Sequence, residues 1–140
     1  MPIPPNIHLQ IVSADRSLVS EHVDEVQIPG ADGYLGVLPG HTPLLALLGA
    51  GELWYRQGAE RHYLLIAFGF AEVLPDRVTI LAQVAERPQE IDVQRAEAAK
   101  RRAEERLARP TLDLDAERAR ISLLKSLIRL QVATRAKIRS

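Results

Sequence analysis

The chain has 140 residues, of which 46% are hydrophobic and 26% charged, with no cysteine and equal numbers of acidic and basic side chains. That length allows one ordinary domain or two small ones, and the apolar content excludes wholesale disorder. Without cysteine there are no disulfides, thiol nucleophiles or zinc–cysteine sites, a composition that suits a reducing compartment.

The opening Met1–Asn6 has neither the basic nor the apolar region of a secretion signal. Short runs with β character then follow one another: Ile7–Val12, His22–Ile28, Glu52–Arg56, His62–Ile66 and Arg77–Ala82. They are rich in β-branched and aromatic residues and separated by Gly, Pro, Asp and Asn. Gln57-Gly58-Ala59-Glu60 has hairpin spacing, and Leu74-Pro75-Asp76-Arg77 is a second turn signal. Many short strands without intervening helices predict an antiparallel sandwich or barrel. The longest apolar stretch, around Leu44–Ala50, is broken by glycine and too short to span a bilayer.

Between these runs lies Gly33-Tyr34-Leu35-Gly36-Val37-Leu38-Pro39-Gly40-His41-Thr42-Pro43-Leu44. Gly33, Gly36 and Gly40 permit positive φ, while Pro39 and Pro43 stiffen the path. The expectation is a rigid, irregular loop that presents Tyr34 and His41 as a docking edge.

The period changes near residue 87. From Asp92 the apolar positions Val93, Ala96, Ala99, Ala103 and Leu107 fall three or four apart. Glu97/Arg101 and Glu105/Arg109 have the spacing of i,i+4 ion pairs. Asp92 is placed as N-cap, with Pro88 ahead of it, and Pro110 ends the helix. Asp113 or Asp115 then caps a second helix running to about Lys137. The short connection makes the two helices antiparallel neighbours.

The first helix has a narrow alanine stripe. The second carries Ala119, Leu123, Leu127 and Leu130 on one face and Ile121, Leu124, Ile128 and Val132 on the adjoining one. That stripe is wider than one alanine-faced helix covers, so the second helix also needs the sandwich or a partner. The fold class is therefore α+β: an antiparallel β-sandwich over 1–86, then an antiparallel two-helix hairpin over 87–140.

Charge divides at the same boundary. Residues 1–86 hold ten Asp/Glu against four Lys/Arg, and residues 87–140 hold eight against fourteen. Such an asymmetry suits two modules that face different partners. A basic nucleic-acid-binding adaptor is the alternative reading, but the basic half nearly lacks the aromatic residues that stack on bases.

Little in the sequence is catalytic. Neither G-x-x-x-x-G-K-[ST] nor G-x-G-x-x-G occurs. His8, His22, His41 and His62 are scattered without metal-ligand spacing. Ser13 with Asp15, and Ser20 with Glu21 and His22, are sequence neighbours rather than a nucleophile, base and orienter. No catalytic or metal-ligating residue is expected.

Three stretches carry a resemblance to a family. Gly33–Leu44 resembles the loop G-E-L-G-I-L-P-G-H-x-P-L of the epsilon subunits of bacterial F-type (rotary) ATP synthases. Gly69-Phe70-Ala71-Glu72-Val73-Leu74-Pro75-Asp76-Arg77-Val78-Thr79-Ile80-Leu81-Ala82 is similar to that family's G-G-F-x-E-V-x-P-x-x-V-T-I-L-A. Ala85-Glu86-Arg87 with Ile91-Asp92-Val93-Gln94-Arg95-Ala96 matches its [IL]-D-x-x-R-A motif. The likeness runs in order from about Asn6 to Lys137. Tyr34 departs from the usual acidic residue, and Phe68 stands where a first glycine is common, a change expected to touch only local backbone freedom.

The resemblance implies a non-catalytic subunit of the central stalk of a proton-translocating ATP synthase, with no required cofactor. Its implied partners are the gamma stalk subunit, the membrane c-ring, touched through Tyr34 and His41, and the catalytic alpha/beta head. No nucleic acid is expected, and the chain would meet the membrane only through the complex, on the cytoplasmic side of the bacterial plasma membrane. The hairpin is implied to restrain ATP hydrolysis. In some members one ATP is held by residues that match Glu86, Asp92, Arg95, Ala96, Arg102, Lys125 and Arg129, so ATP is implied as a regulatory ligand. Lys125 stands where those members tend to carry arginine.

Overall fold

The computed structural model describes residues 2–109, 111 and 115–139, the side chains of 137–139 excepted. Seven strands come first: β1 (Ile7–Ser13), β2 (Ser17–Val23), β3 (Glu25–Gly30), β4 (Gly33–Val37), β5 (Leu44–Gln57), β6 (Glu60–Val73) and β7 (Arg77–Glu86). A 3-10 turn, Pro88–Glu90, precedes α1 (Val93–Ala108) and α2 (Ala116–Arg139). The chain divides into two compact units, residues 1–86 and 87–140.

The strands form one hydrogen-bonded sheet in the order β2-β1-β7-β6-β5-β3-β4. All pairings are antiparallel except β1 with β7, which run parallel. The predicted run His22–Ile28 is two strands, because the chain turns at Asp24. There Asp24 Oδ2 accepts from Gly58 N at 2.7 Å, and Glu25 Oε1 accepts from Arg56 Nε at 3.1 Å. These bonds tie the β2–β3 corner to the turn of the β5–β6 hairpin. The first part of the expected loop is also a strand, β4. Gly33 and Gly40 take positive φ, but Gly36 does not, because it is paired with Gln27 in the ladder. The irregular loop proper is residues 38–43.

One core cluster draws on all seven strands, including both sheet edges, so the sheet closes on itself in sandwich fashion. The way β5, β6 and β7 serve both layers is visible in which positions face in. On β5 the core residues are Tyr55 and Leu53, then Leu48; on β6, Leu64 and Ile66, then Ala71 and Val73; on β7, Ala85, then Ala82, Ile80 and Val78. Each strand changes from odd to even or the reverse. A regular strand keeps one parity throughout. The change falls where cross-strand pairing skips Gly49 and Phe68 on one side, and Phe68 and Gln83 on the other.

Phe68 has φ +62° and Gly69 has φ +115°. A left-handed residue inside a strand reverses the side to which later side chains point. Phe68 is thus more than a change in backbone freedom: the position requires the left-handed region, and a non-glycine there costs about 1–3 kcal/mol. Gly69 has no alternative, since a Cβ on it would lie 2.0 Å from the Leu81 carbonyl oxygen.

In the second unit, Asp92 Oδ1 accepts from Arg95 N at 3.0 Å and caps α1. Asp115 Oδ1 accepts from Arg118 N at 3.0 Å at the start of α2. Pro110 and Asp113, the other expected stop and cap, lie outside the described residues. Buried small residues recur every seven positions, Ala96 and Ala103 on α1, then Ala119, Ser126 and Ala133 on α2. That repeat lets two helix axes approach closely. The expected Glu97/Arg101 and Glu105/Arg109 ion pairs do not form, because exposed long side chains gain little from being held in one geometry. Glu117 and Arg120, three apart, do meet at 3.6 Å.

Gly69→Ala is expected to destabilise the first unit by about 2–4 kcal/mol, since it adds both backbone strain and a clash with main chain. The check is urea unfolding of the full chain followed by sheet circular dichroism, read as a lower midpoint at unchanged slope.

Candidate functional site

Two surfaces have the exposure and chemistry to act. The first is on the outer side of the sheet. Val12, Leu81, Phe70 and Leu47 stand side by side across β1, β7, β6 and β5 in the pairing register. Leu81, Phe70 and Leu47 are 53%, 50% and 60% exposed, and Leu45, two residues along β5, is 71% exposed. Single exposed apolar side chains are ordinary, but a ladder across neighbouring strands makes a continuous patch of the kind that marks an interface. A cleft of about 430 Å³ opens beside it, lined by residues 30–35 of the β3–β4 hairpin and 44–47 of β5.

The sequence reading did not single out this ladder. Its residues lie just past the parity change, so their outward direction is invisible without the register. The signal present in the sequence was the apolar richness of Leu44–Leu48 alone.

Tyr34 and His41 occupy separate elements at the rim of that region. Tyr34, on β4, is exposed, and its hydroxyl accepts from Glu52 N at 3.2 Å. The ring thereby lies over Gly51, where an added Cβ would come 2.6 Å from the hydroxyl. His41 is half-buried in the 38–43 loop, its Nδ1 donating to the Thr42 carbonyl at 2.7 Å. Beside it Leu38 is 55% exposed. The loop end of the sheet is therefore stiffened by backbone bonds, Gly40 N donating to Pro75 O at 2.8 Å among them.

The second surface is the hairpin's cationic flank. Arg95 and Arg102 are exposed, seven residues apart on one face of α1, and each directly precedes a buried alanine. Neither makes a side-chain ion pair with a described residue. Lys125 and Arg129 on α2 are half-buried and each is already partnered. Asp92 is exposed, with one carboxylate oxygen spent on the cap. Ala96 is buried in the small-residue seam. Glu86 ends β7 in the first unit, apart in chain division from the other six. No bond joins Arg95 or Arg102 to α2 among the described residues. On α2, Leu124 and Leu127 stay 43% and 45% exposed, the unspent part of the wide stripe.

No group of three or more His, Asp or Glu residues that could hold a metal ion occurs among the described residues. No described helix is long and apolar enough to cross a membrane.

Residues 6–88 match the family model "ATP synthase, Delta/Epsilon chain, beta-sandwich domain", and residues 89–134 match "ATP synthase, Delta/Epsilon chain, long alpha-helix domain". The chain belongs to this family. It is 46% identical to the ATP synthase epsilon chain of Solibacter usitatus over 131 residues, covering 94% of this chain and 98% of that one. It is 57% identical to the epsilon chain of Koribacter versatilis over 98 residues, 70% of this chain and 69% of that one. Among solved structures it is similar to a chain of the Euglena gracilis mitochondrial ATP synthase OSCP/F1/c-ring assembly. The TM-score there is 0.81 at 26% identity, covering 99% of this chain and 84% of that chain.

Proposed function

We propose that the chain is a central-stalk subunit that couples rotor and catalytic head in a proton-translocating ATP synthase and restrains ATP hydrolysis through its helices. The observation that carries the coupling role is the apolar ladder Leu45, Leu47, Phe70 and Leu81 on the outside of a closed sheet. A body that transmits torque has to be stiff and held at two places. The sandwich supplies the stiffness, the ladder is the seat for the gamma stalk subunit, and the loop end with Tyr34, Leu38 and His41 is the seat on the membrane c-ring. The chain has no expected catalytic part, and its place is peripheral, on the cytoplasmic side of the bacterial plasma membrane.

The hairpin supplies the regulation. Its cations and the open Leu124 and Leu127 suit an acidic, partly apolar surface of the alpha/beta head. ATP is the regulatory ligand of this reading. Arg95 and Arg102, exposed and without an ion pair to any described residue, would take the polyphosphate, and the carboxylate oxygen of Asp92 not used in capping would take the adenine amino group. Lys125 and Arg129 would join from α2 by exchanging present partners.

Three outcomes test these parts. Phe70→Glu buries a charge at the centre of the ladder's contact and should weaken binding to the isolated gamma subunit by about 2 kcal/mol, roughly thirtyfold, with the fold unchanged by circular dichroism. Unaltered affinity would move the stalk contact elsewhere. Removing residues 88–140 should raise ATP hydrolysis by the assembled complex while leaving assembly intact, and an unchanged rate removes the restraining role. Calorimetry of the full chain should detect ATP, with Arg95→Ala weakening it about ten- to hundredfold through loss of one charge-assisted contact. No heat at millimolar nucleotide would leave Asp92 a helix cap and nothing more.

A further inference from the structure

Beside the apolar ladder the sheet register places one acid. Leu45 on β5, Glu72 on β6 and Thr79 on β7 stand opposite one another, and the next row on the same face is Leu47, Phe70 and Leu81. Glu72 is the middle of its row, with Leu45 to one side and Phe70 two residues back along its own strand. Residues opposite each other in a ladder have Cβ atoms about 4.5–5.5 Å apart, and residues two apart on one strand are about 6.5 Å apart. The exposed Glu72 carboxylate therefore stands in the angle between the exposed Leu45 and Phe70, with Leu47 and Leu81 on its two diagonals.

No hydrogen bond or ion pair joins the Glu72 side chain to any described residue. That holds even for Arg77, the cation on β7 diagonal to it. In water a carboxylate needs no partner. Under a protein surface it does, because stripping water from an ionised group without a counter-charge costs more than one apolar side chain returns. A partner that covers Leu45 and Phe70 together also covers the carboxylate between them. The charge of the whole unit favours the same kind of partner: residues 1–86 hold ten Asp/Glu against four Lys/Arg, so a basic surface is drawn to it.

We infer that Glu72 is the charged anchor of the stalk contact and pairs with a lysine or arginine of the gamma subunit. This rests on the reading of the ladder as that subunit's seat, and it adds the chemistry of the facing surface: apolar, with one cation placed over β6. An apolar patch alone lets a partner slide along it, whereas a charge pair at one point fixes its register. The pair also selects the partner. A body that offers an apolar or acidic group over β6 leaves the carboxylate buried and unpaired, and is rejected.

Binding of the full chain to the isolated gamma subunit tests it, with circular dichroism as the check on folding. Glu72→Gln keeps the size and removes the charge. It should weaken binding about ten- to hundredfold at low salt and leave a smaller salt dependence than the unaltered chain shows. Glu72→Leu extends the apolar ladder, yet should also weaken binding, because it leaves the gamma cation buried and alone. Glu72→Lys should weaken binding most. A Glu72→Leu chain that binds as well or better would overturn the proposal, as would an affinity indifferent to Glu72→Gln. Phe70→Glu separates the two levels. Where it weakens binding and the Glu72 variants do not, the stalk seat stands and the charge pair falls; where none of them matters, both fall.

Discussion

The structure of the first unit rests on a break in the β5–β6–β7 ladder at Gly49, Phe68 and Gln83. The left-handed backbone at Phe68 and Gly69 interrupts pairing and exchanges the inward and outward sides of three strands at once. Without it, the fourteen-residue strands β5 and β6 would bury one half of their apolar side chains and expose the other half's to water. With it, the same strands line one core at both ends. Gly69 pays in conformational entropy, and Phe68 carries strain that a glycine would avoid. The close approach of Gly69 to the Leu81 carbonyl shows how tightly β6 and β7 are drawn together at that level.

The outer ladder is a consequence of the same break. Once parity has changed, Leu47, Phe70 and Leu81 point away from the core, while Leu48, Ala71 and Ala82 fill it. Apolar residues on both sides of a strand are the mark of a sheet covered on both faces. Leu47, Phe70 and Leu81 stay exposed on that outer side, whereas Leu65 and Ala67, before the break on β6, are buried outside the inner core cluster. The end of the same region is stiffened by Tyr34, whose hydroxyl takes the Glu52 amide proton. Tyr34 therefore has an internal bond as well as an exposed ring, which an acidic residue at that position would offer in a different form.

The hairpin follows a different logic. Small residues recur along its seam at seven-residue spacing, with Ile128 and Val132 buried on α2 as well. A seam of alanine and serine buries little apolar area per residue, so each turn contributes modestly. Arg95 and Arg102 sit beside the seam and not in it, where they stay exposed.

The sequence by itself determined the division near residue 87, because a change from period two to period 3.6 is local chemistry that no tertiary contact can disguise. It also determined the cap at Asp92, the Gln57–Glu60 and Leu74–Arg77 turns, and the alanine seam, and gave Asp115 as one of two candidate caps, all of which depend on residues close along the chain. The long strands were legible only in halves: Glu52–Arg56, His62–Ile66 and Arg77–Ala82 each stop near the parity change, where alternation no longer reads as one strand. The split of His22–Ile28 at Asp24 was hidden for a related reason, since that corner is fixed by Arg56 and Gly58 far away in sequence, while the strand at Gly33–Val37, paired locally with β3, was masked by glycines that read as loop. Only the tertiary structure decided that Gly36 is a ladder residue, that Leu47, Phe70 and Leu81 form one row, and that Glu72 lies opposite Leu45. Each of those is a cross-strand relation, and register is set by the whole sheet rather than by any one strand.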